Sequence, residues 1–142
     1  MPRFYKMLDH VSDAFVEVTG ASLEECFSRA GLAVVDLMVD LSSISRVSEQ
    51  NFEVEGFDLK SLLYNFLEQV LVKVTSMEFL PNSLEVKIVE VDSGYVLTAR
   101  GVGEMFLEGK HKAKLEVKAV TYHLMEIYDA KGKFVIRFLL DL

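Results

Sequence analysis

Apolar residues recur along this chain with two different periods, and the change of period marks its elements. From Leu23 onward, Phe27, Ala30, Val34, Leu37 and Met38 follow at helical spacing, which predicts a helix to about Val39. Ser22-Leu23-Glu24-Glu25 at its start reads as a capping box, with the Ser22 hydroxyl and the Glu25 carboxylate each meeting an otherwise unpaired amide. A second helical run follows Gly56-Phe57, with Asp58 as its cap. It places Leu62, Leu63, Phe66, Leu67, Val70, Leu71 and Val74 on one broad face. Both stripes read as core and not as cofactor contacts.

Most of the rest alternates with the period of a strand. Phe15, Val16 and Val18 follow Asp13 and stop at Gly20, and residues 47–56, 84–91 and 95–101 read likewise. Asp92-Ser93-Gly94 predicts a tight turn joining the last two into a hairpin. Residues 114–127 are rich in β-branched and aromatic side chains and predict one long strand. Asp129-Ala130-Lys131-Gly132 then turns the chain into a strand over 134–140, a second hairpin. Gly101-Val102-Gly103 reads as a bulge or turn, since no helix follows it. Strands joined by short turns, with both helices in the first half, predict an α+β fold: antiparallel or mixed β-sheet layers packed with two main helices. No repeat or linker interrupts residues 1–142, so a single compact domain is expected.

Composition agrees with a globular chain: 51% of the 142 residues are hydrophobic and 26% charged. A mean hydropathy of +0.25 raises the question of a membrane span. No uncharged apolar run approaches the roughly 18 residues a span requires, and Met1-Pro2-Arg3 does not open a signal peptide's apolar core. A cytoplasmic protein without membrane contact is the expectation. Cys26, the one cysteine, excludes an internal disulfide and a zinc finger, and it reads as a small buried hydrophobe. A net charge of −7 argues against strong direct binding of nucleic acid and favours a basic protein partner.

Three segments could carry chemistry. Asp9-His10-Val11-Ser12-Asp13 places two carboxylates and an imidazole at a strand edge, where they could coordinate a cation or move a proton. On spacing alone, capping a turn is the commoner use of such residues. Asp141 ends the last strand beside the carbonyl and terminal oxygens of Leu142. If that strand pairs near the Asp13 strand, the three residues form an oxygen-rich cluster suited to Ca²⁺ or Mg²⁺. A solvated chain end is the plainer reading of Asp141. The run from Lys110 to Lys118 is locally basic and could meet a phosphate or an acidic partner, although most charge runs are simply solvated. His123, in a predicted strand, reads as a hydrogen-bonded structural histidine. Phosphate-binding loops, the nucleophile elbow and the H-E-x-x-H motif are all missing, so familiar enzymatic machinery is not expected.

The same segments, in the same order, resemble the archease family. Asp9-His10-Val11-Ser12-Asp13 is similar to that family's opening Asp-His-Thr-Ala-Asp, with Val11-Ser12 in place of Thr-Ala. Ser22-Leu23-Glu24-Glu25-Cys26-Phe27 and Met38-Val39-Asp40 resemble the start and end of its first helix, and Ser61-Leu62-Leu63-Tyr64-Asn65-Phe66-Leu67 resembles its second. The most specific likeness is Glu116-Val117-Lys118-Ala119-Val120-Thr121-Tyr122-His123, followed by the closing Asp141-Leu142. Gly103-Glu104 keeps the family's Gly-Glu but not its usual neighbours, Met105 and Phe106 standing there instead.

The resemblance implies a small cytosolic accessory protein, itself not an enzyme, that activates the tRNA-splicing RNA ligase by promoting its guanylylation and multiple turnover. It implies a bound Ca²⁺, or another divalent cation, held by Asp13, Asp141 and Leu142. Asp9, His10 and Lys118 are then candidates for contact with the ligase. An alternative within the same class is a chaperone for an RNA methyltransferase. From a different class, Asp9, His10, Asp13 and Asp141 could serve a metal-dependent phosphotransfer or hydrolytic enzyme, a reading weakened by the missing phosphate cradle.

Overall fold

The computed structural model describes residues 4–8 and 12–142. Among them the chain forms β1 (Tyr5–Leu8), β2 (Asp13–Gly20), α1 (Leu23–Met38), a 3-10 turn (Leu41–Ser43), β3 (Ser48–Gly56), α2 (Leu59–Thr75), β4 (Leu80–Val91), β5 (Gly94–Glu104), β6 (Ala119–Ala130) and β7 (Lys133–Asp141). These make two antiparallel sheets, ordered β1-β2-β7-β6 and β3-β5-β4. The α+β class and both hairpins are as the alternation predicted.

Both helices pack against both sheets: α1 meets β2, β7 and β4, while α2 meets β3, β5 and β6. This bridging explains why α1 buries far more than one stripe. Cys26, Phe27, Ala30, Gly31, Ala33, Val34 and Val35 are all out of water. Gly31 is required by this crowding, because a Cβ there would stand 2.8 Å from the Leu84 side chain and 3.0 Å from the Phe66 ring. Phe66 of α2 joins the layers, its ring centroid lying 6.2 Å from that of Phe27 and 6.0 Å from that of Phe52 on β3. Cys26 is buried, with its thiol pushed up to about 12 chiefly by desolvation, as expected of a structural cysteine.

The helix caps follow the sequence with one difference. Ser22 accepts from the Glu25 amide at 3.1 Å, but the Glu25 carboxylate accepts from Ala21 N–H at 3.0 Å, one residue beyond the cap. At α2, Asp58 and Ser61 form a complete capping box.

Two predicted boundaries are corrected. Residues 114–118 do not belong to β6, and the first two amides of this segment serve α1: Lys114 N–H donates to Met38 C=O at 2.7 Å and Leu115 N–H to Leu37 C=O at 3.0 Å. They therefore satisfy the unpaired carbonyls at the helix end. Gly101-Val102-Gly103 is neither turn nor bulge; it continues β5, and the register shift lies opposite, between Pro81 and Ser83 of β4. Glycine is needed there for close approach, since a Cβ on Gly103 would fall 1.9 Å from the Leu80 carbonyl oxygen.

The crossing from β5 to β6 is clamped by one buried carboxylate. Glu104 Oε2 accepts from Lys110 Nζ at 2.6 Å, from the Ser45 amide at 2.9 Å and from His111 Nε2 at 2.8 Å. His111 Nδ1 accepts from Leu107 N–H at 2.9 Å, which makes Nε2 the protonated nitrogen. These donors, led by Lys110, hold the Glu104 carboxyl at about 2.

Two outcomes are expected. Phe66→Ala should lower unfolding free energy by roughly 3–5 kcal/mol in urea titrations, because it empties the joint between α1, α2 and β3. A carboxylate whose folded pKa is depressed stabilises the fold above its unfolded pKa and loses that contribution as pH falls through the folded value. Stability should therefore decline as pH drops from about 4.5 towards about 2, and Glu104→Gln should remove this part of the acid dependence.

Candidate functional site

Strand β2 alternates strictly between interior and outer face, and β7 follows it in register. Ala14 faces Leu140, Val16 faces Phe138 and Val18 faces Ile136, all six buried. The intervening residues share the opposite face: Asp13 faces Asp141, Phe15 faces Leu139, Glu17 faces Arg137 and Thr19 faces Val135, with Leu139 and Val135 buried there. Cross-strand partners share a face, so Asp13 and Asp141 project their carboxylates side by side, the former partly buried and the latter exposed.

The contrast along this face is informative. At Glu17 and Arg137 opposite charges meet, with Arg137 Nε donating to Glu17 Oε2 at 2.8 Å. Lys6 of β1 adds a second cation 3.7 Å from Glu17 Oε1. At Asp13 and Asp141 like charges stand opposite one another, an arrangement that is destabilising unless compensated. Leu142 follows Asp141 directly and brings main-chain oxygen to the same strand end. Two carboxylates and a main-chain carbonyl make an all-oxygen donor set of the hard kind that Ca²⁺ or Mg²⁺ takes, water supplying the remaining ligands. Among the described residues, no group of three or more His, Cys, Asp and Glu side chains could hold a metal. A cation here would rest on this pair and on main-chain oxygen.

Lys118 stands beside the pair. Its N–H donates to the Asp141 carbonyl at 2.7 Å, and the next residue, Ala119, faces Asp141 across the ladder. Its side chain is exposed. The structure thus brings together Asp13, Asp141, Leu142 and Lys118, which the sequence scatters over both ends of the chain. Asp9 and His10 lie outside the described residues.

The basic run 110–118 has a different role from a free cationic patch. Lys110 and His111 are held by Glu104, and Lys114 Nζ donates to the Asp36 main-chain oxygen at 2.5 Å. His123, read from the sequence as a hydrogen-bonded structural histidine, is exposed, its main-chain N–H donating to Thr121 Oγ1 at 3.1 Å. It belongs to a large bulge in β6, where Tyr122 stacks on Tyr64 of α2. Sequence reasoning missed this feature. Its only trace is the five-residue step between the inward-facing Val120 and Met125, which breaks the period of a strand.

Comparison with known proteins agrees with this architecture. Residues 5–142 match the model of the Archease protein family (MTH1598/TM1083). The chain is 41% identical over 119 residues to protein archease of Pyrococcus abyssi, covering 84% of each chain. It is similar to the solution structure of protein 1598 of Methanobacterium thermoautotrophicum, with a TM-score of 0.83, 37% identity, and 98% and 99% of the two chains covered. An archease crystal structure from Thermotoga maritima shares the fold at a TM-score of 0.61 and 17% identity, over the full length of both chains. With seven strands in two antiparallel sheets, two bridging helices and a family match over nearly its whole length, the chain belongs to the archease family.

Proposed function

We propose that this protein is a non-catalytic accessory factor that activates the tRNA-splicing RNA ligase, promoting its guanylylation and multiple turnover. The observation that carries the reading is the in-register opposition of Asp13 and Asp141 beside Leu142. The family's resemblance assigns a cation to those residues. Family membership supports an accessory role. The Thermotoga maritima archease is called a possible chaperone, a role of the same class.

In this reading Asp13, Asp141 and the main-chain oxygen of Leu142 hold Ca²⁺ or a comparable divalent ion. The ion supplies positive charge that lets the carboxylates stand together. The chain's own residues do the rest. The β2–β7 register fixes both carboxylates on one face, and Lys118 pins the end of β7 through its amide. Asp9, His10, Asp13 and Lys118 then meet the mouth of the ligase's active site. There they assist the seating of the ligase's nucleotide and cations for guanylyl transfer. The acidic balance of the chain suits a partner that itself holds the RNA.

Multiple-turnover RNA ligation by the cognate ligase should be faster with wild-type protein and not with Asp13→Ala, circular dichroism showing the variant folded. Normal activation by a folded Asp13→Ala would overturn the mechanism. Absence of acceleration by the wild type would transfer the proposal to chaperoning of an RNA methyltransferase, scored by that enzyme's solubility and site choice. Independently of the ligase, Ca²⁺ at a hundred times its Kd should stabilise the wild type by about 2.7 kcal/mol. Thermal melts should show this shift reversed by chelator and lost in Asp13→Ala.

A further inference from the structure

Strand β6 departs from β7 at one place. Thr121 faces Leu139 and Glu126 faces Arg137, so Tyr122, His123, Leu124 and Met125 stand where β7 supplies only Phe138. Met125 turns inward and is 2% exposed. Leu124 sits at a φ of +60°, the left-handed region that side chains other than glycine rarely occupy. Packing explains the inward turn of Met125. It does not explain why Tyr122 and Leu124 are left 50% and 43% exposed. A bulge that only guarded a sheet edge would carry charge or proline there.

Tyr122 is nonetheless held in one orientation. Its ring stacks on Tyr64 of α2, with centroids 4.5 Å apart and planes 6° from parallel. Desolvation, then Asp58, Tyr64 and Glu68, push the Tyr122 hydroxyl above its ordinary value. Asp58 caps α2, and Glu68 lies exposed one turn beyond Tyr64. The surface therefore offers an ordered aromatic ring, an apolar neighbour and a rim of negative charge. A planar guanidinium fits it on both counts, stacking on the ring and pairing with carboxylates through its fork of N–H donors.

We propose that the Tyr64–Tyr122 stack and the Leu124 bulge, rimmed by Asp58 and Glu68, form a docking patch for an arginine-bearing segment of a partner protein. The patch goes beyond the cation reading and does not depend on it. It lies on β6, past the point where Ala119 faces Asp141.

The test is a titration in the presence of chelator, which separates it from any failure of the cation site. The probe is a fluorescein-labelled nonapeptide alternating arginine and serine, compared with its lysine and citrulline counterparts. Fluorescence anisotropy should show binding of the arginine peptide, weaker binding of the lysine peptide and none of the citrulline peptide. NMR shifts should centre on Tyr64, Tyr122 and Leu124. Tyr122→Ala should weaken binding about tenfold, and Glu68→Gln, an exposed change that keeps the fold, should weaken it measurably. Any of four results would overturn the patch: no binding of the arginine peptide, equal binding of the lysine peptide, shifts centred elsewhere, or unchanged affinity in Glu68→Gln.

Discussion

The pairing of β2 with β7 is the constraint on which the rest of the molecule depends. It joins the two ends of the chain, so the loop-closure entropy of nearly the whole sequence is set against it. Its compensation is the three buried cross-strand pairs, Ala14 with Leu140, Val16 with Phe138 and Val18 with Ile136. A one-residue slip of either strand would take its three core side chains off the interior face, and the register is fixed for that reason. The opposition of Asp13 and Asp141 follows from this core. It cannot be relaxed by sliding one strand, because the same slide would pull that strand's core residues from the interior.

Four cations of the described chain serve carboxylates that are largely buried. Arg137 and Lys6 serve Glu17, Lys110 serves Glu104, and Lys114 lies 3.9 Å from Asp36 Oδ2. Asp36 is almost fully buried and is further satisfied by the Tyr5 hydroxyl at 2.8 Å and the Leu41 amide at 2.9 Å, so one carboxylate ties β1 to the end of α1. Burial of charge is tolerated in each case because the donors are supplied by the fold itself. The chain as a whole keeps an excess of negative charge. A basic surface on the partner is the complement that such a molecule selects.

Much of this was legible in the sequence, for local reasons. The two helices declared themselves through three- and four-residue spacing and through caps at Ser22 and Asp58. The hairpins at Asp92-Ser93-Gly94 and Asp129 to Gly132 declared themselves through turn chemistry. Other features were hidden because they arise between distant segments. Residues 114–118 alternate like a strand, and only the position of α1 turns the Lys114 and Leu115 amides to helix carbonyls. The glycines 101 and 103 look like punctuation, and only the approach of Phe79 and Leu80 shows them to be spacers inside a strand. For the carboxylates, Asp13 and Asp141 were identifiable as candidates, but their opposition depends on a register that neither segment encodes alone.

Strand β6 shows how one element can answer to two neighbours. At its start it follows β7: Lys118 bonds the Asp141 carbonyl, Ala119 faces Asp141 and Val120 faces Leu140. After Thr121 it must also cover α2, whose Tyr64 stands beside the strand. The two demands are not commensurate, because a helix and a strand advance by about 1.5 Å and 3.3 Å per residue. The mismatch is absorbed at Tyr122 to Met125, and pairing with β7 resumes at Glu126. The left-handed turn at Leu124 is the local cost of serving both neighbours, and the ordered, half-exposed Tyr122 is its product. The carboxylate pair is thus placed by the register of β7, and the aromatic stack by the interruption of β6 pairing with it.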